Sequence, residues 1–75
     1  MISENNSFID DTFFTLNRGR IYAKVIEHVE KELIEKALQH SCGNQIIAAR
    51  VLGINRNTLH TKIRRLHINV GRFKG

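Results

Sequence analysis

Between Gly43 and Leu59 the chain reads Gly-Asn-Gln-Ile-Ile-Ala-Ala-Arg-Val-Leu-Gly-Ile-Asn-Arg-Asn-Thr-Leu, a stretch that leaves little freedom of fold. Asn44 is of the type that starts a helix, because its side-chain oxygen can accept from the unpaired N–H groups of a first turn. Residues 45–52 are apolar nearly all round, with only Gln45 and Arg50 polar. That pattern predicts a short buried helix, whose Ala48-Ala49 pair lets another backbone approach closely. Gly53 supplies the positive φ that closes such a helix. Asn55 can then cap a third helix that runs to about Leu66. Two helices joined by a tight glycine turn form a helix-turn-helix, whose second helix can enter a DNA major groove.

Charge shows which end would meet a polyanion. Residues 1–40 carry five Lys/Arg against seven Asp/Glu, a net −2, and residues 41–75 carry seven against none, a net +7. Such segregation costs stability through self-repulsion and points to an anionic partner. The 75 residues allow one small domain with a thin core. Chains of about 70–80 residues rarely gain more than about 3–5 kcal/mol from a core without disulfides, metal or oligomerisation. Cys42 is the only cysteine, so no internal disulfide can form and a reducing, cytoplasmic setting is expected. Oligomerisation is then the remaining route to stability. No apolar run approaches the roughly 18 residues that span a membrane, and Met1-Ile2-Ser3-Glu4-Asn5-Asn6 lacks the basic start and apolar core of a secretory signal. Proline is absent. The expected class is all-α.

From Asn17 to His40 the pattern is helical, with Tyr22, Val25, Ile26, Val29, Leu33, Ala37 and Leu38 mostly three or four apart. Glu27 with Lys31 and Glu32 with Lys36 are i, i+4 pairs in the favourable order. At about 1.5 Å per residue this helix would extend on the order of 35 Å. Alone it would leave much of its apolar stripe exposed. A second copy of the chain would cover Tyr22, Val25, Ile26, Val29 and Leu33, which are the expected dimer interface.

On the last helix Leu59, Ile63 and Leu66 make a narrow apolar seam, with Asn57, His60, Thr61, Arg64 and Arg65 on the opposite face and Arg56 and Lys62 at the edges of the seam. The first residues of a recognition helix are those that reach base edges. Asn55, Arg56, Asn57 and His60 are therefore the expected base readers; Arg suits guanine O6/N7 and Asn suits adenine N6/N7. Thr58, Thr61, Lys62, Arg64 and Arg65 fit phosphates, which fix register and give salt-dependent affinity. Gln45 starts the preceding helix, where backbone N–H groups can also bind phosphate. Plainer readings stand beside these. Asn55 and Thr58 can serve only as a cap, and Arg64-Arg65 can be a solvated surface. The conjunction of a buried helix, a glycine turn, a capped basic helix and 35 acid-free residues favours the nucleic-acid reading.

These residues closely resemble the Fis-type helix-turn-helix, the module of the nucleoid protein Fis and of the C-terminus of NtrC-class (sigma-54-dependent) bacterial enhancer-binding activators. The resemblance rests on Gly43-Asn44-Gln45, Ala48-Ala49, Leu52-Gly53-Ile54-Asn55-Arg56, Thr58-Leu59 and Lys62-Ile63-Arg64-Arg65-Leu66. The helix from Ile21-Tyr22 to Leu38 looks like the family's dimerisation helix, so the likeness covers roughly residues 20–68. It implies a homodimer with a four-helix core and two recognition helices in successive major grooves of a pseudo-palindromic site. In Fis these helices sit too close together for straight DNA, so bending is implied. Asn55 and Arg56 match the family's base-contacting pair. Asn44, Gln45, Thr58, Lys62, Arg64 and Arg65 match its phosphate-contacting or positioning residues. His60 and Thr61 depart from the pattern, where the family usually has a basic pair or an arginine.

The N-terminal residues are too few and too acidic for the β-hairpin arms that Fis presents to recombinases. This favours an activator domain: residues 1–16 a linker or disordered segment following an upstream AAA+ module, 17–69 the dimerisation and DNA-binding domain, and 70–75 a basic tail. The implied setting is the bacterial cytoplasm and nucleoid, with double-stranded DNA as partner, a homodimer, no membrane and no cofactor. A stand-alone Fis-like DNA-bending protein is the first alternative, and a helical protein-interaction module that never touches DNA is the second. An enzyme built on Cys42 and His40 has no orienting carboxylate. A metal site from His28, His40, His60 and His67 has no recognised ligand spacing.

Overall fold

Most helix ends fall where a local hydrogen bond replaces a missing intrahelical one. The computed structural model describes residues 8–75, and among these there are helices, turns and coil but no strand. The order is α1 (Asp11–Leu16), α2 (Ile21–His40), α3 (Gln45–Leu52) and α4 (Arg56–Arg65), followed by a single 3-10 turn (Val70–Phe73).

The expected linker is partly structured. The Asp10 carboxylate accepts from the Phe13 N–H at 2.8 Å and starts α1. Asn17 then closes α1, with both its backbone N–H and its side-chain amide donating to the Phe13 carbonyl. Hence the long helix does not begin at Asn17 as expected; the Asn17 groups that would start it terminate α1 instead, and α2 begins at Ile21. Phe13 docks half-buried, while its neighbour Phe14 stays exposed. Phe8 completes the dock, with its ring edge-on to Phe13 at 5.1 Å and against the His28 ring of α2 at 4.1 Å. The expectation for residues 1–7 lies outside the described residues.

Helices α2, α3 and α4 end alike. The Gly43 N–H donates to the Leu38 carbonyl at 2.8 Å, Ile54 to Ala49 at 3.0 Å and Ile68 to Ile63 at 3.0 Å. In each case the preceding residue is left-handed: Cys42 at φ 53°, Gly53 at 77° and His67 at 58°. This six-to-one closure satisfies a carbonyl that the last turn leaves unpaired. Gly43 is itself left-handed at φ 83°, and a Cβ there would meet the Lys74 side chain and backbone. Only glycine fits both demands.

The core joins Ile34, Ala37 and Leu38 of α2 to Ala48 and Ala49 of α3, Leu59 and Ile63 of α4, and Leu66 and Ile68 beyond it. Leu38 and Leu59 are fully buried. The alanine pair brings α3 close to α2 and α4, as the sequence implied. Helix α3 is not buried all round, however. Ile46, Ile47 and Val51 stay between 42% and 67% exposed, because its neighbours cover one stripe of the helix and no described element covers the other. The basic tail packs back onto the body. Val70 and Phe73 lie against the core, the Arg72 guanidinium sits 4.6 Å over the Phe73 ring, and it reaches Glu35 at 3.8 Å. The apolar residues at 68, 70 and 73 carry the segment inward despite its cations.

Candidate nucleic-acid interface

Two N-caps position the surface. Asn44 Oδ1 accepts from the N–H groups of Ile46 and Ile47 at 3.0 and 3.1 Å, and Asn55 Oδ1 accepts from Asn57 at 2.7 Å. Asn55 therefore serves as a cap, with its carbonyl oxygen engaged and its amide N–H₂ available. Arg56 follows at the first turn of α4, exposed, in a shallow basin that it shares with Asn44, Gln45 and Lys74. Lys74 reaches this basin through the packed C-terminal turn. Nothing local in the sequence marks Lys74 for this basin, because its place there depends on the packing of residues 68, 70 and 73.

Asn57, Thr58, His60, Thr61 and Arg64 are all exposed on α4. His60 Nδ1 lies 3.4 Å from Gln45 Oε1. With Nδ1 protonated, this contact links the start of α3 to the middle of α4. The structure thus joins one expected base reader to one expected phosphate ligand.

Lys62 and Arg65, both expected phosphate ligands, are engaged within the chain. Both turn toward α2, where Glu30 Oε2 accepts from Lys62 Nζ at 2.6 Å and Glu30 Oε1 accepts from Arg65 Nη2 at 2.9 Å. The physical reason is the absence of acid on α4 itself: the nearest carboxylate is supplied by the scaffold helix. The hydrogen bond from Lys62, aided by that from Arg65, holds the Glu30 carboxyl below the ordinary value of 4.5, while partial burial opposes the shift. The i, i+4 pairs expected along α2 are not among the ion pairs of the described residues, which are Glu30 with Lys62 and Arg65 and Glu35 with Arg72. Three of the seven cations of the basic half are therefore held by α2.

On the far side of α2, Tyr22, Ile26, Val29 and Leu33 lie between 40% and 80% exposed, and Val25 is half-buried. No described element covers this stripe.

A capped apolar helix, a left-handed glycine turn and a capped basic helix on a long scaffold helix define a helix-turn-helix regulatory domain. The chain belongs to the Fis family of bacterial regulatory proteins, whose pattern matches residues 25–66. It is similar to the DNA-binding transcriptional regulator NtrC of Azospirillum brasilense, 52% identical over 52 residues, covering 69% of this chain and 11% of that protein. NtrC of Rhizobium meliloti (strain 1021) is 50% identical over 52 residues, with the same coverage of 69% and 11%. The DNA-binding protein Fis of Buchnera aphidicola subsp. Schizaphis graminum is 41% identical over 65 residues, 81% of this chain and 66% of that protein. The chain thus spans about a tenth of the NtrC proteins it matches. No solved structure matches it.

Proposed function

We propose that the chain binds double-stranded DNA sequence-specifically as a homodimer, and that it is the DNA-binding domain of an NtrC-class transcriptional activator working in the bacterial cytoplasm on a pseudo-palindromic enhancer site. The observation that carries this reading is the exposed flank of α4. Arg56, Asn57, His60, Thr61 and Arg64 face outward there, and no acidic residue follows Glu35 in the chain. Arg56 is the principal base reader, with Asn57 and His60 beside it, and the free amide of Asn55 adds a donor. Asn44, Gln45, Thr58, Thr61 and Arg64 hold phosphates, which position the helix without carrying sequence information. The stripe Tyr22, Val25, Ile26, Val29 and Leu33 meets its counterpart on a second copy.

The NtrC reading is favoured by the higher identity to the NtrC relatives, 52% against 41% for Fis, and it places a AAA+ module upstream in the parent chain. The better coverage of Fis, 66% against 11%, favours a stand-alone DNA-bending protein instead. Duplex binding titrated from about 50 to 200 mM salt tests what the two share. Affinity should fall steeply and linearly on a log–log plot, and a flat line would remove DNA as the partner. Sharp bending of duplexes of unrelated sequence, read by end-to-end energy transfer, would select the stand-alone reading.

A further inference from the structure

Helices α2 and α4 differ in what they do: one is the scaffold, the other the reading head. Among the described residues, every side-chain hydrogen bond between them ends on Glu30. Lys62 and Arg65 stand one turn apart on α4, and each takes a different oxygen of the same carboxylate. A carboxylate held at both oxygens cannot rotate without breaking one contact, so the pair acts as a two-point fork. It is partly screened from water, with the Glu30 side chain 24% exposed.

The fork lies on one flank of the apolar seam of α4. Taking about 100° per residue, Lys62 and Arg65 share the flank that turns to α2, while Arg56, His60 and Arg64 share the other. Fixing the first flank sets the aim of the second. The same contacts withhold two cations from any polyanion that docks on α4.

We propose that Glu30 is a positioning residue that determines specificity: by holding Lys62 and Arg65 against α2 it aims the Arg56 flank of α4 and keeps these two cations off phosphate. The proposal rests on the DNA-binding reading. It reassigns Lys62 and Arg65 from general affinity to orientation. Its consequence is weaker binding to arbitrary duplex and a larger ratio between the correct site and the rest.

The test compares the full chain with Glu30→Gln, using a random-sequence duplex and a duplex selected from a random pool by the unmodified chain, both across a salt series. Each cation released to phosphate steepens the slope of log K against log salt by about 0.9. Glu30→Gln should therefore steepen it by about 1–2 per chain, tighten random duplex several-fold and lower the selected-to-random ratio. An unchanged slope and ratio would overturn the proposal. In the complementary variant, Lys62→Gln with Arg65→Gln, the slope on random duplex should stay as it is; a drop of about 1–2 per chain would place both cations on phosphate and overturn it. This arm decides the matter if Glu30→Gln fails to fold. A flat slope for the unmodified chain would sink the DNA-binding reading alone. Amide exchange without DNA then tests the fork by itself: α4 should exchange roughly tenfold faster in Glu30→Gln, and equal protection in the two proteins would remove the positioning role.

Discussion

Cys42 and His67 occupy left-handed backbone positions that the equivalent turn after α3 fills with Gly53. A side chain there costs about 1–2 kcal/mol, of which glycine's extra unfolded-state freedom cancels about 0.5–1. Cys42→Gly and His67→Gly should each stabilise the fold by about 0.5–1 kcal/mol, read as a higher denaturant midpoint at unchanged slope. Gly53→Ala should move the midpoint the other way. Arg56→Ala should lose about 1–3 kcal/mol of discrimination at one base pair per half-site; an equal loss on all sequences would make it a phosphate contact instead. Local chemistry explains why Asn44, Gly53 and Asn55 were legible from sequence: each residue type names its own hydrogen bond or dihedral. Cys42 carries no such signal, and that of His67 is weak, since histidine is enriched at positive φ but adopts it only in a minority of cases. The fate of Lys62 was illegible for a different reason. Its partner lies 32 residues away, beyond any periodicity argument.

At the scale of elements, the split between acidic and basic halves changes meaning. The sequence suggested an acidic scaffold merely attached to a basic reader, whereas α2 supplies Glu30 to α4 and Glu35 to the C-terminal turn. The polarity of the chain is partly an internal glue. Buried seams were read well, because Leu59, Ile63 and Leu66 repeat at helical spacing and all are buried. The exposure of α3 was not, because composition alone does not say how many neighbours a helix has. The ion pairs also predict a pH dependence. The folded-state pKa of Glu30 lies below its ordinary value of 4.5, so its ionised form contributes stability that is fully present above about that pH. The contribution is lost as pH falls through the lowered folded value. Thermal melts of the unmodified chain and Glu30→Gln should therefore differ by a constant amount above about pH 5 and converge in more acidic buffer. A difference that persisted unchanged to pH 3 would mean that the ionised carboxylate is not what holds α4.

For the whole molecule, the scarce resource is apolar cover. The Cα radius of gyration is 14.6 Å, against about 11 Å for a compact domain of this length. Among the described residues nine buried apolar side chains form the core, while Tyr22, Ile26, Val29 and Leu33 lie open along α2. Their spacing of four, three and four residues is that of a helix-to-helix seam. A second copy seated on this stripe would bury it and hold two α4 helices at one fixed separation. Two consequences follow together from that geometry. Leu33→Glu should abolish the rise of melting temperature with protein concentration that a dimer shows, and should weaken binding to a two-half-site duplex far more than binding to a single half-site. Inserting five base pairs between the half-sites should be equally damaging to the unmodified chain, because it turns the second groove to the opposite side of the duplex. Inserting a full turn of about 10 base pairs restores the face but not the distance of about 34 Å, so affinity should recover only as far as the scaffold can stretch. Equal tolerance of both insertions would mean that the two reading heads are tethered flexibly, and the rigid four-helix core would have to be given up.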